Sequence, residues 1–423
     1  MLENHYKYVL VGGGLASRSA AETIRDRDPA GSILLVGQEV NRPYHRPLLS
    51  NEYLRGQRKR SEVVAEPTDW FAQREVTLRT GGRVAHLDTA RHAIVLSSGE
   101  EVAFDQLLIA TGASPKPLNI PGAQLPNVFM LRTIEDADRL HNAIEKALAE
   151  GHRHSNGRGI AAIIGGGVLG VELAATLTRL GLSINLICGP THPWRKFAGE
   201  NTGKLIAHHL EKNGVRVHSS HRPQRLEGDG RVQRVVLSSS ETVECDLAIS
   251  AIGALPNKDI LRGTPITAEK AILTDEHCRT NVADIYAAGD CAAIFDPLFG
   301  KHRMIDHWEN ARITGAIAGA NMAGGQLAYD SANSFSTSVF GLDVTCWGEA
   351  RLVDRRHVRG NVNVDSPDFI EIGVATDGRV AQVISVGHKG EDELLRQLVK
   401  QRVQVEGNEE QIKDPTRALS EFL

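Results

Sequence analysis

The sequence predicts an α/β chain with two parallel-sheet units, each built on a strand, a glycine turn and a helix, followed by a smaller C-terminal α+β domain. Three observations predict it. A short apolar run leads into a glycine turn and then an amphipathic segment twice, in VGGGLAS around residue 12 and in IIGGGVLG around residue 165. Each copy is followed by a second apolar run, at residues 33–36 and 184–188, which completes a βαβ unit. After Gly324 the pattern changes to alternating strand signals at 344–347, 369–374 and 381–386, closed by a helical stretch at 391–403.

Size and composition set the bounds. The chain has 423 residues, enough for two or three domains, with 41% apolar and 24% charged residues, the balance of a globular protein. A net charge of -4 gives no footing for a nucleic-acid binder. The five cysteines, Cys188, Cys245, Cys278, Cys291 and Cys346, form no CxxC or CxxxxC pair, so neither a metal site nor a redox dithiol is expected. Buried, inert thiols in a reducing cytoplasm are the expectation. The start of the chain runs into a strand signal without an apolar leader core. The weakly polar stretch 160–177 carries five glycines and Glu172, and reads as strand, turn and helix rather than a membrane span. HRHSNGRG, residues 152–159, reads as a solvated linker, and residues 406–414 as a loop or frayed tail.

In the first turn Gly12, Gly14 and Ser17 occupy the three small-residue positions of G-x-G-x-x-G. Gly12 permits the tight turn, Gly14 lets a pyrophosphate approach the backbone, and small Ser17 lets helix and strand close up. Leu15 and Ala16 open the helix, whose free N–H groups and positive end favour phosphate. An acid for the ribose hydroxyls is expected at the end of the following strand. Gln38 and Glu39 stand there; Glu39 reads as that acid or as a solvated loop residue, and Gln38 could bond a hydroxyl without charge.

The second turn matches the full pattern with Gly165, Gly167 and Gly170, and Val168 and Leu169 open its helix. Cys188 stands where the acid of an NADH site is expected. Arg195 and Lys196 follow, either as partners of a phosphate or as a solvated basic face, so NADH and NADPH both remain open. Two such units imply two Rossmann-like domains that bind two nucleotides, or one binding site long ago duplicated and lost.

Taken together, VGGGLAS, RPYHRPLLS, LLIATGASP, GGGVLGVELA, AIGALPN and IYAAGDCA resemble the FAD-dependent pyridine nucleotide reductase superfamily. Their order and spacing are similar to the ferredoxin and rubredoxin reductase branch, which apoptosis-inducing factor and monodehydroascorbate reductase share. The likeness runs from about residue 6 to 323, with a weaker echo in the tail. It implies an FAD-binding domain from residues 1–117 and 247–325, an NAD(P)-binding domain at 118–246 and the C-terminal domain at 326–423. It also implies roles. Asp290, beside Gly289, would bond the ribityl chain, and Arg46 would be a fixed cation at the flavin or pyrophosphate. Ala110, Thr111 and Gly112 would form a crossing close to FAD, with Gly253 in the matching crossing of the second unit. Val84 would lie near adenine and Arg132 near the flavin edge. Glu172, on the first turn of the second helix, and Trp308 would lie by flavin and nicotinamide; Asp306 and His307 could reach the same site, with a structural histidine the favoured reading of His307.

Two departures stand out. The family's usual Lys after RPPLS is Asn51 here, so Glu172 would lack its counter-charge, and an expected aromatic in the first C-terminal strand is replaced by Ser336. The implied activity is transfer of electrons from NADH or NADPH through FAD to an iron–sulfur protein such as a ferredoxin or rubredoxin. The implied enzyme has no nucleic-acid or membrane partner and is a monomer or homodimer. Two alternatives stay open: reduction of a small acceptor such as a monodehydroascorbate-like radical or a quinone, and a redox-responsive binding module like apoptosis-inducing factor. A dithiol relay is excluded by the lack of CxxxxC, and a cysteine-based oxidase or peroxidase is disfavoured by the lack of cysteine between residues 41 and 53.

Overall fold

The computed structural model describes residues 4–67, 69–150, 157–388 and 390–423. The expected His-rich linker falls mostly at 152–156, outside the described residues. The chain forms two compact units. The first comprises Met1–His45, Arg60–Ser114 and Ala254–Ser331, the second Arg46–Lys59, Pro115–Gly253 and Ala332–Leu423.

In the first unit the strand His5–Val11 lies between Ile33–Val36 and Glu101–Ile109, parallel to both. Val76–Arg79 extends the sheet in parallel beyond Ile33–Val36, and Ile285–Ala287 pairs in parallel with Glu101–Ile109. Because the sheet is covered on both faces, its strands read as unbroken apolar runs rather than alternating ones. Alternation still sorts them. Tyr8, Leu10, Ile33 and Leu35 join one buried cluster, and Val9, Val11, Leu34 and Val36 join another on the opposite face.

The helix Leu15–Arg27 lies along the helix Trp308–Met322. Their closeness depends on glycine: a Cβ on Gly315 would stand 2.2 Å from the Ala16 carbonyl oxygen, and one on Gly319 2.5 Å from that of Ala20. Small residues thus let two backbones meet directly behind the first glycine turn.

The second unit holds a five-stranded parallel sheet in the order Val215–Ser219, Ser183–Cys188, Ile160–Ile164, Leu247–Ser250, Val128–Met130. It also holds a five-stranded antiparallel sheet in the order Ser334–Val339, Leu342–Gly348, Val380–Val386, Asp368–Val374, Arg355–Asn361. The three central strands of this sheet are the three the sequence predicts. The two edges, SFSTSV and RRHVRGN, are too polar to carry an apolar signal. The expected loop at 406–414 is instead partly the helix Glu409–Lys413, with Ile412 fully buried. The buried Arg359 fixes this tail by donating to the carbonyls of Ile412 at 3.3 Å and Pro415 at 3.5 Å, and to those of Asp414 and Arg417. Local composition signals a loop there; a long-range guanidinium anchor overrides it.

All five cysteines are free and buried, as expected of inert thiols, and burial raises every one of them above the ordinary thiol value. Among the described residues no helix is long and apolar enough to cross a membrane, and no group of His, Cys, Asp and Glu could hold a metal ion.

Candidate dinucleotide sites

The first glycine turn is shaped by contacts that no larger residue could make. Gly12 has φ +129°, and a Cβ there would overlap the Ala110 carbonyl oxygen at 2.0 Å. Ala110 therefore acts through its backbone, as the wall against which the turn closes. Around Gly14 a Cβ would meet nothing within 4 Å, so this side of the turn is open. Gly14 caps the helix Leu15–Arg27 without any side-chain hydrogen bond, which leaves the first-turn N–H groups to a ligand. Ser17 is fully buried, and its Oγ has no hydrogen-bond partner. Arg42, in the loop after the second strand, keeps a buried Nη1 without a partner. An open cradle, uncapped N–H groups and a half-buried arginine fit an anionic dinucleotide. The sequence motif points to Arg46 rather than Arg42, although each stands directly before a proline of the same segment.

At the strand end Gln38 is exposed and Glu39 half-buried. Glu39 accepts a hydrogen bond from Tyr44 Oη at 2.6 Å, so its carboxylate is oriented rather than loosely solvated. Val84 is half-buried against the apolar cluster beneath this sheet. Thr111 and Gly112 are tied to Asn257: Thr111 Oγ1 donates to the Asn257 carbonyl at 2.6 Å, Asn257 Nδ2 returns to the Thr111 carbonyl at 2.9 Å, and Asn257 N donates to the Gly112 carbonyl at 2.9 Å. The AIGALPN asparagine, not singled out beforehand, therefore braces the crossing. Gly289 has φ +74°, its N–H donates to Thr314 Oγ1 at 3.0 Å, and half-buried Asp290 follows it. Trp308 opens its helix with 38% exposure and lies 5.8 Å from the His45 ring, so it is not a core tryptophan.

The second turn repeats this construction. Gly165 has φ +124°, and a Cβ there would stand 2.3 Å from the Ala251 carbonyl oxygen. Gly167 is open and caps the helix Val168–Arg179 without a side chain. At Gly170 a Cβ would meet the Gly165 carbonyl oxygen at 1.8 Å, so the third glycine permits the helix to close on the turn. Beside the turn, Trp194 N donates to the Gly166 carbonyl at 2.8 Å, and its buried indole N–H has no partner. These features too fit a phosphate-bearing ligand. Gly253 is exposed, and its carbonyl accepts from Lys116 N at 2.8 Å. Cys188 does not face outward: it is 1% exposed, its Sγ lies where a Cβ on Gly166 would come within 2.6 Å, and burial pushes its thiol up to about 11. It packs beneath the turn.

One expectation needs correction. Because Gly167 is the cap, the helix begins at Val168, and Glu172 is its fifth residue, beyond the first turn and the strongest part of the helix dipole. Ser336 lies on the first strand of the C-terminal sheet. Strand alternation exposes it, hydrogen-bonded to Thr345 Oγ1 at 3.0 Å, while its neighbours Phe335 and Thr337 turn the other way. Phe335 meets Phe197 edge-on at 5.2 Å.

Glu172 itself is held by two hydroxyls. Ser50 Oγ donates to Oε2 at 3.0 Å, and buried Thr337 Oγ1 donates to Oε1 at 2.8 Å. Asn51 lies close by, accepting from Thr176 Oγ1, one helical turn beyond Glu172, at 3.3 Å. Burial raises the Glu172 carboxyl above its ordinary value, and the Thr337 and Ser50 hydroxyls offset that only in part. Ser50 and Thr337 were not foreseen. Ser50 ends the RPLLS segment, but nothing local in FSTSV marks Thr337. Arg46 and Arg132 are brought together: Arg46 Nη1 donates to the Arg132 carbonyl at 2.7 Å. Thr133 and Asp136 cap the helix that follows, with Asp136 accepting from Thr133 N at 2.8 Å and Arg132 N at 3.0 Å.

Comparison with known proteins agrees with this geometry. A family model described as pyridine nucleotide-disulphide oxidoreductase matches residues 6–315. The chain is 30% identical over 416 residues to the ferredoxin–NAD(+) reductase component of the p-cumate 2,3-dioxygenase system of Pseudomonas putida, covering 98% of each chain. It is 29% identical over 415 residues to the ferredoxin–NAD(+) reductase component of the biphenyl dioxygenase system of Paraburkholderia xenovorans, covering 98% of this chain and 97% of that one. Its fold superposes with a TM-score of 0.90, at 25% identity, on a chain of the crystal structure of the covalent putidaredoxin reductase–putidaredoxin complex, covering 100% of this chain and 98% of that one.

Proposed function

Because the chain belongs to the pyridine nucleotide-disulphide oxidoreductase family, we propose that it carries electrons from a reduced nicotinamide dinucleotide to a ferredoxin-like iron–sulfur protein. It is a pyridine-nucleotide-dependent oxidoreductase that uses FAD. The observation that carries the reading is the repeated cradle, one per unit, in which Gly12 and Gly165 close on a strand carbonyl while Gly14 and Gly167 stay open.

When bound, FAD supplies the link between a two-electron donor and a one-electron acceptor. The chain's own residues do the rest. The uncapped helix start at Leu15 and Ala16, with Arg42, receives the pyrophosphate of FAD, and Glu39 takes its adenosine ribose. Asp290 accepts from the ribityl hydroxyls, and Thr111 and Gly112 hold the backbone that borders it. The helix start at Val168 and Leu169 receives the pyrophosphate of the nicotinamide dinucleotide. Glu172, largely without charge compensation, orients the carboxamide as a hydrogen-bonding carboxyl rather than as half of an ion pair. The family name includes a disulphide, but all five cysteines here are free and buried, so the acceptor takes electrons without a dithiol step. Unpaired cysteines also support a reducing cytoplasm as its location.

The test is anaerobic. The purified protein is expected to show a flavin band near about 450 nm, to bleach on adding reduced nicotinamide, and to reoxidise with a 2Fe–2S ferredoxin faster than with a quinone or an ascorbyl radical. Reoxidation by ferredoxin no faster than by the small acceptors would move the assignment to a small-acceptor reductase.

A further inference from the structure

In a parallel nucleotide-binding unit the adenosine ribose sits outside the carboxyl end of the second strand, where a carboxylate holds the 2′-hydroxyl and repels a 2′-phosphate. In the second unit that strand is Ser183–Cys188, and its last residue is a neutral, buried thiol. The loops leaving this sheet edge, residues 189–199 and 220–222, contain no Asp or Glu. Glu200, the first acid after the earlier loop, is paired with Lys204 at 2.6 Å.

Cations stand there instead, and the fold brings one of them to the ribose position. Cys188 is in register with Ser219 of the neighbouring parallel strand. Beyond that pair His221 N donates to the Cys188 carbonyl at 3.2 Å and Ser220 N to the Pro190 carbonyl at 2.9 Å. The two loops are thereby tied, and Arg222 is laid across Gly189. A Cβ on Gly189 would lie 3.4 Å from Arg222 Cγ and 3.6 Å from Nε. These are ordinary contact distances, so the Arg222 side chain rests against the backbone at the strand end. Arg222 is exposed and has no carboxylate partner among the described residues, whereas Arg195, exposed in the loop after Cys188, acts on the Glu200 carboxylate.

We infer that Arg222 binds a 2′-phosphate, so that the dinucleotide this chain prefers is the 2′-phosphorylated one. The inference rests on the proposed nicotinamide-dependent activity and names its donor. Guanidinium suits the task because its fork can meet two phosphate oxygens at once.

The FAD-loaded full chain is titrated calorimetrically with adenosine 2′,5′-bisphosphate and with 5′-AMP. The bisphosphate is expected to bind at least about tenfold more tightly, the worth of one charge-assisted hydrogen bond. That advantage shrinks as salt is raised. In Arg222→Ala it disappears, because the bisphosphate weakens more than 5′-AMP does, and Arg222→Lys retains part of it. Equal affinities in the wild type, or an equal loss of both ligands in Arg222→Ala, overturn the inference. Anaerobic flavin reduction by NADPH and by NADH separates it from its premise. Reduction by NADH with no bisphosphate advantage overturns the 2′-phosphate site alone, whereas no reduction by either dinucleotide overturns the activity beneath it as well.

Discussion

Thr337 Oγ1 donates to Glu172 Oε1 at 2.8 Å, joining the first strand of the C-terminal sheet to the helix of the second glycine turn. With Ser50 on the other oxygen, both oxygens of this carboxyl are held by neutral hydroxyls. Those bonds favour the carboxylate, but its burial outweighs them and makes ionisation costly. Burial raises the carboxyl, so the native state keeps its proton to higher pH than the unfolded chain does. Stability must then decline as pH rises from the ordinary carboxylate range up to the native value. Glu172→Gln removes that decline, and thermal unfolding should show the variant's Tm above the wild type's at pH 7 but not at pH 4. Thr337→Val leaves one oxygen unmet and should cost about 1 kcal/mol in urea unfolding. A lower Tm for Glu172→Gln at pH 7 would show that the charge is compensated after all.

Gly12→Ala and Gly165→Ala are predicted to fail in different assays. Each puts a Cβ within 2.0 Å or 2.3 Å of a strand carbonyl oxygen, at a φ that side chains rarely adopt. The strain is at least about 1–3 kcal/mol. Gly12→Ala should purify with much of its flavin absorbance lost. Gly165→Ala should keep its colour and lose at least about tenfold in affinity for reduced nicotinamide. If both variants lose only colour, the two cradles do not hold separate dinucleotides.

Glu371 anchors the C-terminal sheet to the helix Glu200–Lys212. It is 1% exposed, accepts from Gly199 N at 2.7 Å and Thr202 Oγ1 at 2.8 Å, and pairs with Arg356 at 2.6 Å. Removing it leaves a half-buried guanidinium and an open helix start. Glu371→Ala should cost about 3–5 kcal/mol by urea unfolding, with Glu371→Gln in between. A loss below about 1 kcal/mol would mean that water replaces the anchor.

Asp28 governs the acid limb of the first unit. Its carboxylate accepts from Lys7 Nζ at 2.7 Å, Tyr8 Oη at 2.8 Å and Gly31 N at 2.9 Å, and these bonds hold it well below the ordinary value. A depressed acid contributes stability that is complete above the unfolded carboxylate range and is lost as pH falls through that range and below. Asp28→Asn should therefore be less stable than wild type at pH 7, with the difference closing toward pH 2. A difference independent of pH would argue against this role.

Much of the architecture is legible in the chain itself. The two glycine turns, Gly12 with Gly14 and Gly165 with Gly167, are visible because a turn of that kind excludes side chains locally, and local exclusion leaves a local signature. The core strands YVLV, ILLV and IAAII are visible because a sheet covered on both faces demands continuous apolar residues. The absence of a cation beside Glu172 is legible at Asn51. Thr337, Arg42 and the tail helix were not legible. SFSTSV is a polar edge strand, and which of Ser336 and Thr337 turns inward depends on its register against Leu342–Gly348, a parity that composition does not encode.

The sequence by itself determined that this chain holds two dinucleotides and hands on electrons without a dithiol, because small residues at fixed spacing and the spacing of cysteines are properties of adjacent positions. Only the tertiary structure decided that Glu172 is met by Thr337, 165 residues away, and that Arg222 lies over Gly189. Those contacts are set by strand pairing and loop closure between distant segments, where a shift of one residue turns a side chain to the opposite face.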